Sequence, residues 1–315
     1  MKRAEASFSV VTVVREETPV IRRFCEHYLA LGAERIFLYV DGEASGARAA
    51  MELMGPAASR VDLSEMLEED WIARFGYPER VLDRKQQKIF PEAHARCESG
   101  WTFFADADEF LLARQPIAEM LEQVDPGIPS FRLMPAEAVW GPGDNPNVPF
   151  GSTHFRRPFR RRRIWHAQKR FLYDRHHGLF RNNVLGHQEG KHFLRTDVRP
   201  DSIEPHWSRI GGSIISPEFP FGMDGCVNEV LHFDAISLER WMEKMRRRHG
   251  GETTTGGHPM RKRQAREVAA LHDPETGHVD RDRAERMFRA SYGVDRLRRA
   301  VQEAQGTMFR ANPFG

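Results

Sequence analysis

Phe103-Phe104-Ala105-Asp106-Ala107-Asp108-Glu109-Phe110-Leu111 is the stretch on which the reading of this chain turns. An apolar run of strand length ends in two carboxylates one residue apart, and charges of that kind cannot be buried without compensation. The junction must lie at the margin of a core, where a turning backbone can aim both acids at one point. Hard cations such as Mg²⁺ take oxygen ligands, commonly one or two carboxylates together with substrate phosphates. Manganese suits similar ligands. Taken alone, the same pattern also describes a solvated strand-to-loop junction whose acids act as caps.

Upstream, apolar runs ending in polar groups occur twice more. Phe8–Val14 (FSVVTVV) is short and β-branched, as a buried parallel strand should be. Thr18 and Pro19 then supply an N-cap and a first helical residue. Ile21, Phe24, Cys25, Tyr28 and Leu29 follow at helical spacing, and Gly32 closes the helix. Residues 36–40 form the next strand, stopped by Asp41-Gly42. Residues 47–54 and 79–98 read as helices, the second broken or kinked at Pro91. This order predicts an α/β fold: a Rossmann-like, mostly parallel sheet flanked by helices. Ligands of such sheets bind beyond the carboxyl ends of the strands. Here those ends carry Arg15-Glu16-Glu17, Asp41 and Asp106-Ala107-Asp108-Glu109.

Past Leu112 the pattern loosens. Residues 135–158 are rich in Gly, Pro and Asn and read as a loop over the site. Short strands are expected around 169–172 and 191–195, a helix after Ser237, and charged helices from 250 onward. The expected organisation is a catalytic domain over 1–249, with a donor half to about 134 and an acceptor half from about 135, and a helical extension over 250–315.

Apolar residues make up 40% and charged residues 29% of the 315, ordinary for a globular protein. No apolar run approaches the roughly 20 residues that cross a bilayer, and no secretion signal is legible at the start. The three cysteines, Cys25, Cys97 and Cys226, are too few and too scattered for a disulfide framework, which suits a cytoplasmic protein. The net charge of +2 hides an acidic first half and a basic stretch centred on Arg156-Arg157-Pro158-Phe159-Arg160-Arg161-Arg162-Arg163. That run can guide an anionic acceptor, dock the protein peripherally on an anionic membrane at its inner face, or be a solvated loop paired with the acidic half. A polyanion- or nucleic-acid-binding protein built on the run is the non-enzymatic alternative, but no nucleic-acid fold signature accompanies it.

A dehalogenase-type phosphatase also ends a strand in Asp-x-Asp. That family places Thr or Val where this chain has Phe110, and its motif follows the first strand. Other segments point elsewhere. The run VVTVVREETPVIRRFCEHYLALGAERIFLYVDG, then Arg84-Lys85-Gln86, then Trp101 and Asp106-Ala107-Asp108-Glu109-Phe110-Leu111, resembles the glycosyltransferase-A superfamily in order and spacing, particularly the family 2-like and family 92 transferases. Gly190-Lys191-His192-Phe193-Leu194-Arg195 and Leu231-His232-Phe233 resemble later segments of the same enzymes. The triplet Arg15-Glu16-Glu17 departs from their Lys-Asn-Glu, and His27-Tyr28 reverses their Tyr-His.

The resemblance implies a metal-dependent transfer of a sugar from a nucleotide-sugar, by default a UDP-sugar, to a glycan, lipid-linked or other hydroxyl acceptor, as in polysaccharide assembly, with inversion. It implies that Asp106 and Asp108 hold Mn²⁺ or Mg²⁺ on the donor diphosphate, with His232 as a third ligand or simply a core histidine. Arg15, Glu17, Asp41 and Gln86 become donor-site candidates, each with an alternative as turn, cap or surface residue. Lys191 and Arg195, four apart on a strand and so on one face, would line the phosphates together. Glu189 is the candidate base, with Asp224 and Glu229 behind it. Glu109 either orients the metal shell or is an exposed loop acid.

Overall fold

The structure is a computed structural model that describes residues 6–218, 228–251, 259–273, 275 and 278–314. They form two compact units. The first takes the chain up to Pro135, then Glu189–Val230 and Phe314; the second takes Ala136–Gln188 and Leu231–Pro313. Residues 189–230 thus belong with the N-terminal part of the chain, and the charged C-terminal helices belong with 136–188. Asp224 and Cys226 lie outside the described residues.

The chain begins with β1 (Phe8–Val14), α1 (Thr18–Ala30), β2 (Ile36–Asp41), α2 (Ser45–Met54), β3 (Val61–Met66) and α3 (Glu68–Phe75). It continues through α4 (Leu82–Arg96), β4 (Trp101–Phe104), β5 (Glu109–Leu112), α5 (Ile117–Glu122) and β6 (Ser130–Leu133). Then come β7 (Pro135–Val139), β8 (His154–Arg156), α6 (Arg162–Tyr173) and β9 (Lys191–Arg195). A small meander follows, of β10 (Ser202–Ile203), β11 (Ser208–Ile210) and β12 (Ser213–Ile214), and then β13 (Glu229–His232). The last elements are α7 (Leu238–His249), α8 (Pro259–Ala269), α9 (Arg281–Tyr292), α10 (Arg296–Ala304) and β14 (Met308–Arg310).

The sheet of the first unit has the order β3-β2-β1-β4-β9-β6. Its first four strands are mutually parallel, whereas β9 runs antiparallel to β4 and β6. The α/β fold with a mostly parallel sheet, expected from the strand–helix alternation, is what the chain adopts. All seven residues of β1 are buried, because a central parallel strand is covered on both faces. Val11, Val13, Phe37, Phe104 and Leu194 pack on Trp71 of α3 and on Ile89, Phe90 and Ala93 of α4. Elsewhere in this core Tyr28 of α1 lies 5.9 Å from Phe103, whose ring lies 4.5 Å from Phe193. Each such side chain contributes about 1.5–3 kcal/mol on burial.

The structure revises the local reading in four places. Thr18 is already helical; Glu17 is the N-cap residue, and the Thr18 hydroxyl donates to Gly46 O at 2.9 Å, tying α1 to α2. Pro91 does not end α4, which runs fifteen residues through it. A proline there forfeits one helical hydrogen bond, but Ile89, Phe90, Ala93 and His94 around it are all buried and hold the helix in place. The edge strand β3 (VDLSEM) and helix α3 went unread, since an edge strand that is mostly half-buried carries little apolar signal. Residues 169–172 form no strand. They end α6, whose Trp165, Leu172 and Tyr173 are buried at helical spacing, a period that four residues cannot reveal.

In the second unit, β14 pairs antiparallel with β8 and β8 with β7. Residues 135–158 were expected to be loop, yet they contain both β7 and β8, because Glu137 and Arg156 make a buried pair across the two strands. Arg156 Nε donates to the Glu137 carboxylate at 2.8 Å, and the amides of Leu185 and Gly186 donate to it at 3.0 and 2.6 Å. Arg156 is 1% exposed, so the first arginine of the basic run is a core residue and leaves the polyanion-facing set. Burial disfavours its charge, but Glu137 more than compensates and raises its pKa.

Asp234 does the same for the helices. It accepts from Lys244 and Arg248 of α7, from Arg261 of α8 and from the Tyr292 hydroxyl of α9. Burial raises its pKa, yet Lys244, Arg261, Arg248 and His232 outweigh that and hold the carboxyl well below its usual range. Ser237 caps α7 as anticipated, accepting from Arg240 N. Among the described residues no helix is long and apolar enough to cross a membrane.

Candidate functional site

Lys191 is placed by strand direction. Because β9 runs antiparallel to β4 with Phe103 opposite Phe193 and Trp101 opposite Arg195, its first residue reaches the carboxyl end of β4. Gly190 sets the approach: its φ is +71° and a Cβ would lie 2.1 Å from Leu133 O, so only glycine fits. Lys191 Nζ then lies 2.7 Å from Asp106 Oδ2 and 3.1 Å from Glu109 Oε2, with the lysine side chain 1% and the glutamate 0% exposed. Glu109 is therefore no exposed loop acid. It accepts from Asp106 N at 3.0 Å while its own amide donates to Asp106 O at 3.0 Å, which closes the Asp106–Glu109 turn.

Gln86 of α4 completes the grip, donating to Asp106 Oδ1 at 2.5 Å. Burial opposes ionisation of Asp106, but the Lys191 ammonium outweighs it, helped by His206 and Gln86, and its pKa is lowered well beneath the carboxylate range. Burial likewise works against the Lys191 charge, and Asp106 and Glu109 overcome it, so its pKa is raised. Asp106 keeps one-third of its side chain exposed, and Asp108 is half-buried in the same turn. Asp106 and Glu109 against Lys191 leave one formal negative charge, to which Asp108 adds another.

A second cluster lies at the neighbouring strand ends. Asp41, at the end of β2, accepts from Arg15 at 2.6 and 3.1 Å on one oxygen and from Lys85 at 2.5 Å on the other. Arg15 directly follows β1 and is one-third exposed, whereas Lys85 and Asp41 are buried. Lys85 and Gln86 are adjacent in α4, so one helical turn supplies a donor to each cluster. Lys85, in Arg84-Lys85-Gln86, carries no site role in the sequence reading. The signal that could have found it is its place next to Gln86 on a helix facing two acidic strand ends.

Arg195 does not join Lys191. Strand residues rise about 3.3 Å each, so it sits at the opposite end of β9, donating to Ile128 O and Asp125 O and lying over Trp101 at 4.3 Å. Sharing a face is not sharing an end. Glu17 is exposed at the start of α1. Glu189 is half-buried, its backbone oxygen accepting from Arg132 at 3.2 Å. Glu229 is buried beside Arg114 at 3.6 Å. His232 belongs to the second unit, where its ring lies 5.0 Å from that of His187.

His192, next to Lys191, faces the other way. Its Nε2 meets Ser208 Oγ at 3.0 Å and its ring stacks on Phe104 at 4.7 Å. Burial pushes its pKa well down, with Lys191, His206, His94 and Arg132 adding to the effect. The folded protein thus keeps His192 neutral where the unfolded chain takes up a proton, so stability is full above about pH 6.5 and falls as the pH drops below it. His94, whose pKa is lowered mainly by burial, adds to the same loss. Urea titrations between pH 7 and 5 should show this slope, and His192→Phe should reduce it by up to about 1.4 kcal/mol per pH unit. An unchanged slope would assign the acid sensitivity to other groups.

The fold and site together define an α/β protein with a carboxylate–lysine cluster at the carboxyl ends of parallel strands. No protein-family model and no curated protein matches the sequence. Solved structures similar to the chain include HddC from Yersinia pseudotuberculosis (13% identity, 71% of this chain and 88% of that one, TM-score 0.32). S. aureus TarS 1–349 is similar at 13% identity over 96% and 87% of the two chains, TM-score 0.32. The galactosyltransferase LgtC, solved with donor and acceptor sugar analogues, is similar at 13% identity with a TM-score of 0.27; 60% of this chain is covered, but only 58% of LgtC. The functional reading therefore rests on the chain's own residues.

Proposed function

We propose that this chain is a metal-dependent glycosyltransferase of the glycosyltransferase-A type, taking its sugar from a nucleotide-sugar. What carries the reading is Asp106, an ionised, partly exposed carboxylate at the carboxyl end of β4, gripped by Lys191 and Gln86. Ligands of open α/β sheets bind at such strand ends. The donor set fits a hard divalent cation: all oxygen, and with an excess of two formal negative charges across Asp106, Asp108, Glu109 and Lys191. Asp106 and Asp108 would hold Mn²⁺ or Mg²⁺, which when bound neutralises charge on the departing nucleoside diphosphate.

The remaining roles belong to the chain itself. Lys191 has three N–H donors; two meet carboxylates, and the third would go to a diphosphate oxygen. Arg15 and Lys85 against Asp41 leave one net positive charge beside β1, suited to a further phosphate or to orienting the ribose through Asp41. Glu189 is assigned as the base. It takes the acceptor's hydroxyl proton as that oxygen bonds to the anomeric carbon and the bond to the diphosphate oxygen breaks, which inverts the centre.

Calorimetric titration with a panel of nucleoside diphosphates tests this directly. With Mn²⁺ present one nucleotide should bind in the micromolar range, and excess chelator should abolish the heat. A folded sample that binds none of them with metal would overturn the assignment.

A further inference from the structure

The second unit contains a cavity of about 400 Å³ beside α6. Arg162, Lys169 and Arg181 line it, and none of the three has a carboxylate partner among the described residues. Among the described residues no carboxylate lines it either. Unpaired cations crowded around one space repel each other, an arrangement that an anion relieves.

Charge is only half of the lining. Trp165 and Phe180 also border the cavity, buried to 5% and 6% exposure within an aromatic cluster that includes Tyr173, whose ring lies 3.6 Å from Phe180. Asn182 stands beside them in a left-handed conformation, φ +52°, with Nδ2 donating to Phe159 O at 3.0 Å. Its Oδ1 is buried and has no hydrogen-bond partner among the described residues. A buried acceptor of this kind is costly unless a donor reaches it. An O–H group would satisfy it, and inorganic phosphate at neutral pH is mainly an acceptor. The volume is within the ~300–1,000 Å³ of small-ligand sites and exceeds what one phosphate fills.

We infer that this cavity binds a phosphorylated sugar, its phosphate held by Arg162, Lys169 and Arg181, its ring against Trp165 and Phe180, and one hydroxyl donating to Asn182 Oδ1. Arginine and lysine together suit phosphate, the first as a planar fork and the second as a point charge. A cavity of this volume with aromatic lining suits a compact ligand better than an extended polyanion. As a binding site it is independent of the transfer chemistry; its role as the acceptor's seat rests on the reading proposed above.

Calorimetry on the full chain, without nucleotide and with chelator present, separates the two. Glucose 6-phosphate or glucose 1-phosphate should bind at least roughly tenfold more tightly than glucose and than inorganic phosphate. Lys169→Ala/Arg181→Ala should lose roughly tenfold or more of that affinity, and Mn²⁺-dependent nucleotide binding should be unchanged. Both side chains lack ion pairs among the described residues, and circular dichroism checks that the variant folds. Failure of both sugar phosphates to bind overturns the inference. Inorganic phosphate binding as tightly as the sugar phosphates also overturns it, because the sugar is then not recognised. Single-stranded DNA binding more tightly than either would reassign the cations to polyanions. Should sugar phosphate bind while no nucleotide does, the cavity assignment stands and the transferase reading falls.

Discussion

Lys191→Met should cost about 3–5 kcal/mol of folding stability, the range for a buried ion pair broken on one side. Lys191 is 1% exposed, and the substitution removes the ammonium 3.1 Å from Glu109, which is 0% exposed. Asp106 suffers less, because a third of its side chain reaches solvent. The sign with pH follows. Asp106 is held below the ordinary carboxylate range, so its contribution is present above about pH 4 and lost as the pH falls below that. In the variant this depression of Asp106 is lost, and the stability difference from the parent should shrink as the pH drops toward 3. Urea unfolding at pH 7 and pH 3 reads both effects. A loss below about 1 kcal/mol at pH 7 would mean that water, not Lys191, stabilises these carboxylates.

Asp108→Asn should leave folding nearly intact and remove function. Asp108 is half-buried in the turn that follows β4. The substitution keeps its shape while deleting one formal charge and weakening an oxygen ligand. Losing one carboxylate from a divalent site should cost about 3 kcal/mol, roughly a hundredfold in metal-dependent nucleotide affinity, and a further loss in turnover where the leaving diphosphate is stabilised. The melting temperature should move by no more than about 2 °C. Titration of the nucleotide with and without Mn²⁺, beside the melting curve, separates the effects. Normal metal-dependent binding in a folded Asp108→Asn would remove this residue from the site.

These contrasting expectations reflect two kinds of legibility. Asp106 and Asp108 could be read from the chain because their signal is local: a buried apolar strand cannot continue into two carboxylates. Lys191 was reached through the resemblance carried by Gly190-Lys191-His192-Phe193-Leu194-Arg195, whereas the close approach of Gly190 to Leu133 O is a fact of the fold. Glu109 was read only in part, because burial of a loop acid depends on a lysine 82 positions later in the chain. The assignment of Arg195 failed for a related reason. The period of a strand places residues on faces, but the direction in which the strand enters the sheet decides which end each residue reaches.

The basic run shows the same limit. Arg156 and Arg160 to Arg163 look alike as a string, yet Arg156 is sealed against Glu137 and the amides of Leu185 and Gly186, whereas Arg162 opens onto a cavity. What the sequence alone determined was the alternation of β-branched strands and amphipathic helices, the parallel sheet this implies, and the acidic ends of three strands. All of these follow from short-range periodicity and the cost of burying charge. Tertiary structure alone decided that Lys85 faces Asp41, that Glu109 is buried under Lys191, and that Asp234 gathers cations from two helices and a tyrosine from a third. Those pairings join residues 44 to 82 positions apart, or link separate helices, and only the closing of the chain on itself brings such groups within the few ångströms over which charges select their partners.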